Sequence, residues 1–378
     1  MNHSSPLETA TPVHSMDALL QYRKDAFAKE QGILSAVSVL GQSVIGAALY
    51  LYGHVSTPGY LSILLTVPWA LLIAALSLYL IRHTKDGAVL EAAGNTPGKI
   101  FSLMLFPVFF LDAQLAAYAI SAILSDALPR FSPLLTMLAV ALIMAAAMGG
   151  ENEYALPRLA GMLRWPLLIA LFYCGLTALP HGSPGYLFPL LGRGTGSIFQ
   201  GALWMGGCTA GACCPLLIPS SSPSLSPFQK KGRMLYRPLL GALLAAALYA
   251  LISACLLPAY SLARPENLGF RLLLFTKISG SSLAWSLLVF AQLFLLLLTL
   301  AAGIMRCAHL LTGIAEKRKP SPLLTGALLL LLVPAAALKT LPVQDALIRL
   351  APFRGAAVML VLIPLCILTW IRERRKQA

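Results

Sequence analysis

Long apolar runs are the feature that most constrains the fold of this chain. The sequence contains about ten runs of roughly 20 mostly apolar residues, the length that a helix needs to cross the hydrocarbon core of a bilayer. Only 11% of the 378 residues are charged, whereas soluble domains carry about 25%. The mean hydropathy is +0.78. The sequence therefore predicts an all-α polytopic membrane protein.

We predict ten spans from the limits of these runs and from the prolines that punctuate them. The predicted spans are 33–53, 60–81, 100–124, 133–149, 159–179, 197–218, 238–258, 281–303, 321–339 and 351–371. Around them we expect a cytoplasmic N-terminal tail, one transmembrane domain of two repeats and a basic cytoplasmic tail. Their limits are 1–31, 32–371 (repeats at about 33–180 and 197–371) and 372–378.

The distribution of lysine and arginine predicts that both termini are cytoplasmic. With the N-terminus inside, 20 of the 28 Lys and Arg residues fall in inside segments, as the positive-inside rule requires. This count places Arg306 in an inside loop and leaves Arg354 among the outside residues. The net charge of +14 thus reflects membrane topology, and we predict no nucleic-acid partner.

Glycine breaks occur in two corresponding spans. Ten spans divide into five plus five, and an odd number in each half inverts the second half relative to the first, as in LeuT-type transporters. Spans 1 and 6 are then equivalent, and they carry Gly41-Gln42-Ser43 with Gly46 and Gly206-Gly207-Cys208-Thr209. Because glycine weakens a helix, these segments predict broken helices around a ligand site at the bilayer midplane. Close helix packing is the alternative explanation.

Polar groups near the breaks complete the predicted substrate-binding site. Amides freed at a half-helix N-terminus can hold a carboxylate. Asp112 is the acidic residue that lies well inside a predicted span, and an ionisable group there indicates function by default. It could be a proton site, a partner for a substrate ammonium or a coupling-ion ligand. A structural hydrogen bond is the alternative.

Enzyme signatures are missing from the sequence. It contains no HExxH, GxSxG or Walker-type motif, so we predict no enzymatic activity, no metal and no cofactor. The seven cysteines lie in or beside apolar segments, as buried small hydrophobes do. Two short stretches, 151–165 inside and 268–279 outside, could lie flat at the membrane interface. In a LeuT-type fold the second would be an outer lid.

Several short motifs occur in the order and spacing of a known family. They are Gln31 with Val44-Ile45-Gly46-Ala47, Gly98-Lys99, Gly150-Glu151 with Arg158, and Phe188-Pro189-Leu190-Leu191-Gly192 followed by Gly201-Ala202-Leu203. In this respect the chain resembles the spore germination permeases, the GerAB-type B subunits of germinant receptors in the amino acid–polyamine–organocation superfamily. The resemblance covers about residues 31–220. One departure is that Gly206-Gly207-Cys208-Thr209 replaces the aromatic and acidic residues of the family's span 6 break.

The resemblance implies a sensory function. The chain would be the ligand-binding membrane subunit of a receptor in the inner membrane of a bacterial endospore, and would recognise an amino acid or a similar small nutrient. It would work beside a larger membrane subunit and a lipoprotein subunit. Two alternatives stay open: a proton- or sodium-coupled amino acid transporter in the bacterial cytoplasmic membrane, and a membrane scaffold subunit with a vestigial pocket.

Overall fold

A computed structural model of the protein describes most of the chain. The described residues are 12–51, 54–55, 58–83, 95–127, 155–188, 190–191, 193–213, 233–256, 271–273, 278, 280–314, 324, 326–328, 331 and 349–377. The predicted span at 133–149 lies outside them, and so does most of the one at 321–339.

Nine α-helices organise the described part of the chain. They are α1 (Pro12–Gly46), α2 (Gly59–Leu65), α3 (Val67–His83), α4 (Asn95–Ala127), α5 (Ala155–Ala178), α6 (Thr195–Gly206), α7 (Arg233–Leu256), α8 (Ser282–Ile314) and α9 (Phe353–Gln377). Short 3-10 turns follow α5 at Leu179–His181 and Pro184–Leu187. Seven segments are long and apolar enough to cross a membrane, which confirms a helical membrane protein.

Helix α1 lies at the centre of the bundle. Its spanning part is entirely buried, whereas only 22% of the most apolar stretch of α5 is. It packs against α5, α7, α8 and the segment after α6, while α4 and α8 pack along each other. Because protein surrounds α1 on every side, its polar side chains can be satisfied away from lipid.

Helices α1 and α6 both lose α-helical geometry near their predicted breaks. After Gly46, α1 continues as a π-helical turn over Ala47–Leu51. After Gly206, α6 tightens into a 3-10 helix over Gly207–Cys213, all of whose residues are buried. The predicted break in span 6 thus lies at its glycine pair. In span 1 the α-helix runs through Gly41 and changes only after Gly46.

Two sequence-based assignments are corrected by the helix limits. The predicted span at 281–303 ended too early, because α8 continues to Ile314. Arg306 is therefore a fully buried helical residue and not part of an inside loop. Residues 155–165 begin the continuous helix α5 and do not form a separate interfacial segment.

Candidate ligand-binding site

Two arginines and one aspartate meet where the broken helices cross the bundle. Arg354, in the first turn of α9, pairs with the carboxylate Oδ1 of Asp112 on α4. Nη1 of Arg306 on α8 lies 3.9 Å from the other carboxylate oxygen, Oδ2. None of the three side chains is more than 2% exposed. Together these three side chains carry a formal charge of +1, so the position favours an anion over a cation.

Gln42 on α1 holds the ion pair in place. Its Nε2 donates a hydrogen bond of 2.8 Å to the main-chain oxygen of Asp112. Its Oε1 accepts one of 2.9 Å from Nη1 of Arg354. A buried amide that bonds both partners fixes the position of each, because a buried polar group is costly to leave unmatched.

The start of α9 positions Arg354 against the break in α6. Its Nε donates to the main-chain oxygen of Ala351 at 3.0 Å, and Nη2 lies 3.7 Å from Sγ of Cys208. One guanidinium therefore contacts the broken part of span 6, the centre of span 1 and the acidic residue of span 3. A guanidinium presents donors in a planar fork that matches a carboxylate, so this group is suited to bind one.

Arg306 is anchored on the opposite side of the cluster. Its Nη2 donates to the hydroxyl of Ser38 at 2.9 Å, and its guanidinium carbon lies 5.2 Å from the centre of the Phe109 ring. The same hydroxyl lies 3.0 Å from where a side-chain carbon on Gly211 would be. Ser38 thus links α1, α8 and the 3-10 segment of span 6.

The predicted site residues lie around this cluster, but they have different surroundings. Gln42, Asp112 and Cys208 contact Arg354 directly. The hydroxyl of Thr209 donates to the oxygen of Gly206 at 2.7 Å, within its own turn. Ser43 is buried, and its hydroxyl makes no hydrogen bond within the described part of the chain.

The glycines of the two breaks are points of close helix contact. A side chain on Gly41 would collide with Thr299 of α8, and one on Gly46 would lie 2.8 Å from Sγ of Cys208. Gly207 faces the main-chain oxygen of Ala351. Glycine at these positions allows spans 1, 6, 8 and 10 to approach closely enough for their polar groups to meet.

This geometry predicts different effects for the two neighbouring glycines of span 6. We expect Gly207→Ala to destabilise the protein by about 1–3 kcal/mol, because the new methyl group meets the backbone at Ala351 and displaces the start of α9. Gly206→Ala is the matched control, since the nearest atoms there belong to Trp69 at 3.6 Å. Thermal unfolding of both purified variants measures the difference, and equal midpoints would contradict this packing.

The C-terminal end of α1 and the residues that follow it make aromatic and polar contacts. Tyr50 stacks on Trp204 of α6 with ring centres 4.7 Å apart, and the tilted ring of His54 has its centre 4.5 Å from that of Tyr50. Partial burial, together with Arg193 and Arg271, lowers the pKa of His54. Nη1 of Arg271 donates to the oxygen of Ala48 at 2.9 Å, within the π-helical turn. The described part of the predicted outer lid therefore contacts the break in span 1.

Sequence reasoning missed Arg306, Arg354 and Ser38. Both arginines were counted as loop charges, although Arg354 falls inside the limits predicted for span 10. A polar stripe along α1 could have identified Ser38, because Gln31, Ser35, Ser38 and Gln42 recur at helical spacing and are all buried. Leaving out the two arginines does not reverse the charge bias that predicts the topology.

Comparison with solved structures identifies the fold. The chain is similar to the manganese transporter of Eremococcus coleocola, crystallised with an aromatic bis-isothiourea compound, with a TM-score of 0.64 and 15% identity over 91% of this chain and 79% of that one. It is also similar to a Na⁺-coupled sialic acid symporter in a substrate-bound outward-open state. The TM-score there is 0.53, with 11% identity over 89% of this chain and 78% of that one.

These neighbours confirm the predicted LeuT-type fold with broken helices 1 and 6, and both are membrane transporters, not enzymes. No protein-family model matches the chain, and no curated protein matches it by sequence. Within the described residues, no group of three His, Cys, Asp or Glu side chains could hold a metal ion.

Proposed function

We propose that the chain is a transporter-like membrane subunit that binds a small nutrient through its carboxylate, with an amino acid as the favoured class. The observation that carries the proposal is the position of Arg354. Its guanidinium contacts Gln42, about one turn before the break in span 1, and Cys208, within the break in span 6. Transporters of this fold class bind their substrates between these two broken helices, which supports the proposal. A guanidinium can bind a carboxylate in a bidentate manner, through two parallel hydrogen bonds.

In this proposal Asp112 stands in for the ligand carboxylate while no ligand is bound. Its Oδ1 already engages Arg354, and the whole cluster is shielded from solvent. A ligand carboxylate that enters between the broken helices replaces Asp112 on Arg354, and the exchange conserves the charge that faces the guanidinium. Such an exchange requires the helices to open, so ligand binding is coupled to a change in conformation.

We favour a sensory role in a spore germinant receptor over transport. The motifs shared with the spore germination permeases support this role, and with it a location in the spore inner membrane and partnership with a larger membrane subunit and a lipoprotein. A secondary amino acid transporter is the second candidate, since both structural neighbours are transporters. The manganese of one neighbour is not favoured as a substrate here, because Arg306 and Arg354 repel a cation.

Flux through the reconstituted protein separates the two candidates. Proteoliposomes containing the purified chain are supplied with radiolabelled amino acids under an inward proton or sodium gradient, with protein-free liposomes as the control. A receptor subunit is expected to bind an amino acid without accumulating it above the external concentration. Gradient-driven accumulation would overturn the sensory role and establish transport. Absence of saturable binding by the purified protein would instead support a scaffold with a vestigial pocket.

A further inference from the structure

A long groove on the side of the bundle is separate from the central cluster. It has a volume of about 1140 Å³ and is lined by residues of α1, α5 and α7 together with Leu295 of α8. The walls are apolar, with Ile33 and Leu40 on α1, Leu168 on α5 and Ala242 on α7. A narrower apolar cavity, lined by Leu40, Leu168 and Tyr249 among others, continues in the same direction.

Basic side chains are gathered at one end of this groove. Lys29 begins the spanning part of α1, Arg164 lies in the first half of α5, and Arg233 and Arg237 lie in the first turns of α7. All four line the groove, although they are far apart in the sequence. A cluster of basic residues at the end of membrane helices is the charge pattern that anionic lipid headgroups select.

The mouth of the groove faces the lipid-exposed surface of the bundle. Trp165, which lines the groove, is 59% exposed beside Arg164, and tryptophan prefers the headgroup level of a bilayer. Met162 and Ile169 on α5 and Leu244 on α7 are large apolar side chains that stay exposed nearby. In a membrane protein such a surface borders lipid, so lipid can enter the groove from this side.

The length of the groove matches one leaflet. Residues 29 and 40 of α1 are separated by about 16 Å along the helix at 1.5 Å per residue. Half of the hydrocarbon core of a bilayer is about 15 Å. We propose that the groove binds one anionic phospholipid, with its phosphate among Lys29, Arg164, Arg233 and Arg237 and an acyl chain against the apolar walls. By the predicted topology the lipid comes from the cytoplasmic leaflet. This inference does not depend on the function of the central cluster.

Native mass spectrometry of the purified chain tests whether the groove selects an anionic headgroup. We expect one dioleoyl phosphatidylglycerol to be retained at least about ten-fold more tightly than dioleoyl phosphatidylcholine, since each basic residue strengthens binding to an anionic lipid about five-fold. The double variant Arg233→Gln, Arg237→Gln should lower this preference by up to about 25-fold, five-fold for each residue removed, while Lys29 and Arg164 stay. Arg374→Gln, Arg375→Gln removes the same charge from exposed positions outside the groove and should keep it. Equal losses in both double variants would overturn the site.

A second variant tests whether the acyl chain occupies the groove. Gly241 lines it, and no atom lies within 4 Å of where its side-chain carbon would be, so Gly241→Leu places an apolar side chain into the groove without a change of charge. We expect it to reduce retention of phosphatidylglycerol about ten-fold or more, because the leucine takes space that the acyl chain would occupy and reduces the area that the chain buries. Glycerol phosphate, a soluble headgroup, should not compete. Undiminished retention in Gly241→Leu, or displacement by glycerol phosphate, would overturn the inference.

Discussion

Replacing Asp112 with asparagine is expected to destabilise the protein by about 3–5 kcal/mol, the range observed when one member of a buried ion pair is removed. Arg354 would lose the carboxylate that it contacts directly, and Arg306 would lose the negative charge 3.9 Å from its Nη1. The positive charge that stays behind is surrounded by protein, where its solvation by water is lost. Thermal unfolding of the purified protein in detergent measures the effect.

Two further variants make the Asp112 prediction specific. Asp126→Asn removes a half-buried carboxylate from the end of the same helix α4, and we expect a clearly smaller destabilisation from it. The double variant Asp112→Asn, Arg354→Gln should be more stable than Asp112→Asn alone, because it also removes a guanidinium left without its carboxylate. If Asp112→Asn unfolded at the same temperature as the unmodified protein, Asp112 would not hold the two arginines together.

Replacing Arg354 with glutamine is expected to weaken binding of a carboxylate ligand by about 30-fold or more, as loss of a buried, hydrogen-bonded charge partner does. Arg354→Lys keeps the charge but not the planar fork that reaches both Gln42 and Cys208, so its loss should be smaller but clear. Binding of radiolabelled amino acids to the purified variants measures both effects.

The control for Arg354 is an arginine in the segment that immediately precedes α9. Arg349→Gln changes an exposed arginine five positions earlier, and we expect unaltered affinity from it. Unfolding temperatures establish that each variant is folded before affinities are compared. Unaltered binding by Arg354→Gln would place the ligand elsewhere, whatever the effect of this substitution on stability.

The sequence predicted the membrane fold well, because a bilayer requires spanning helices of a certain length and apolar composition, and both are visible in the sequence. The paired breaks in spans 1 and 6 were found for the same reason, since glycines in the middle of a membrane helix are conspicuous. What the sequence could not predict was the geometry of each break. Span 1 keeps its α-helix through Gly41, where close packing against Thr299 is satisfied without unwinding.

The composition of the site was only half predicted. Asp112 and Gln42 were selected because polar groups within apolar runs are costly, and they do meet. Arg306 and Arg354 were missed because charges near the ends of apolar runs were assigned to loops. The true end of α8 and the inward direction of Arg354 depend on packing between helices that are distant in the sequence. Packing between distant helices produces no local pattern in the sequence.

The most direct test of the central claim is a comparison of amino acids with their amides. The purified, unmodified chain is titrated with the common L-amino acids and with the corresponding L-amino acid amides, and unfolding temperature is followed at each concentration. The account predicts that at least one amino acid stabilises the protein saturably and that its amide, which lacks the carboxylate for Arg354, does not. The account would be contradicted if the amide stabilised the protein as much as the amino acid does. It would also be contradicted if no amino acid stabilised the protein.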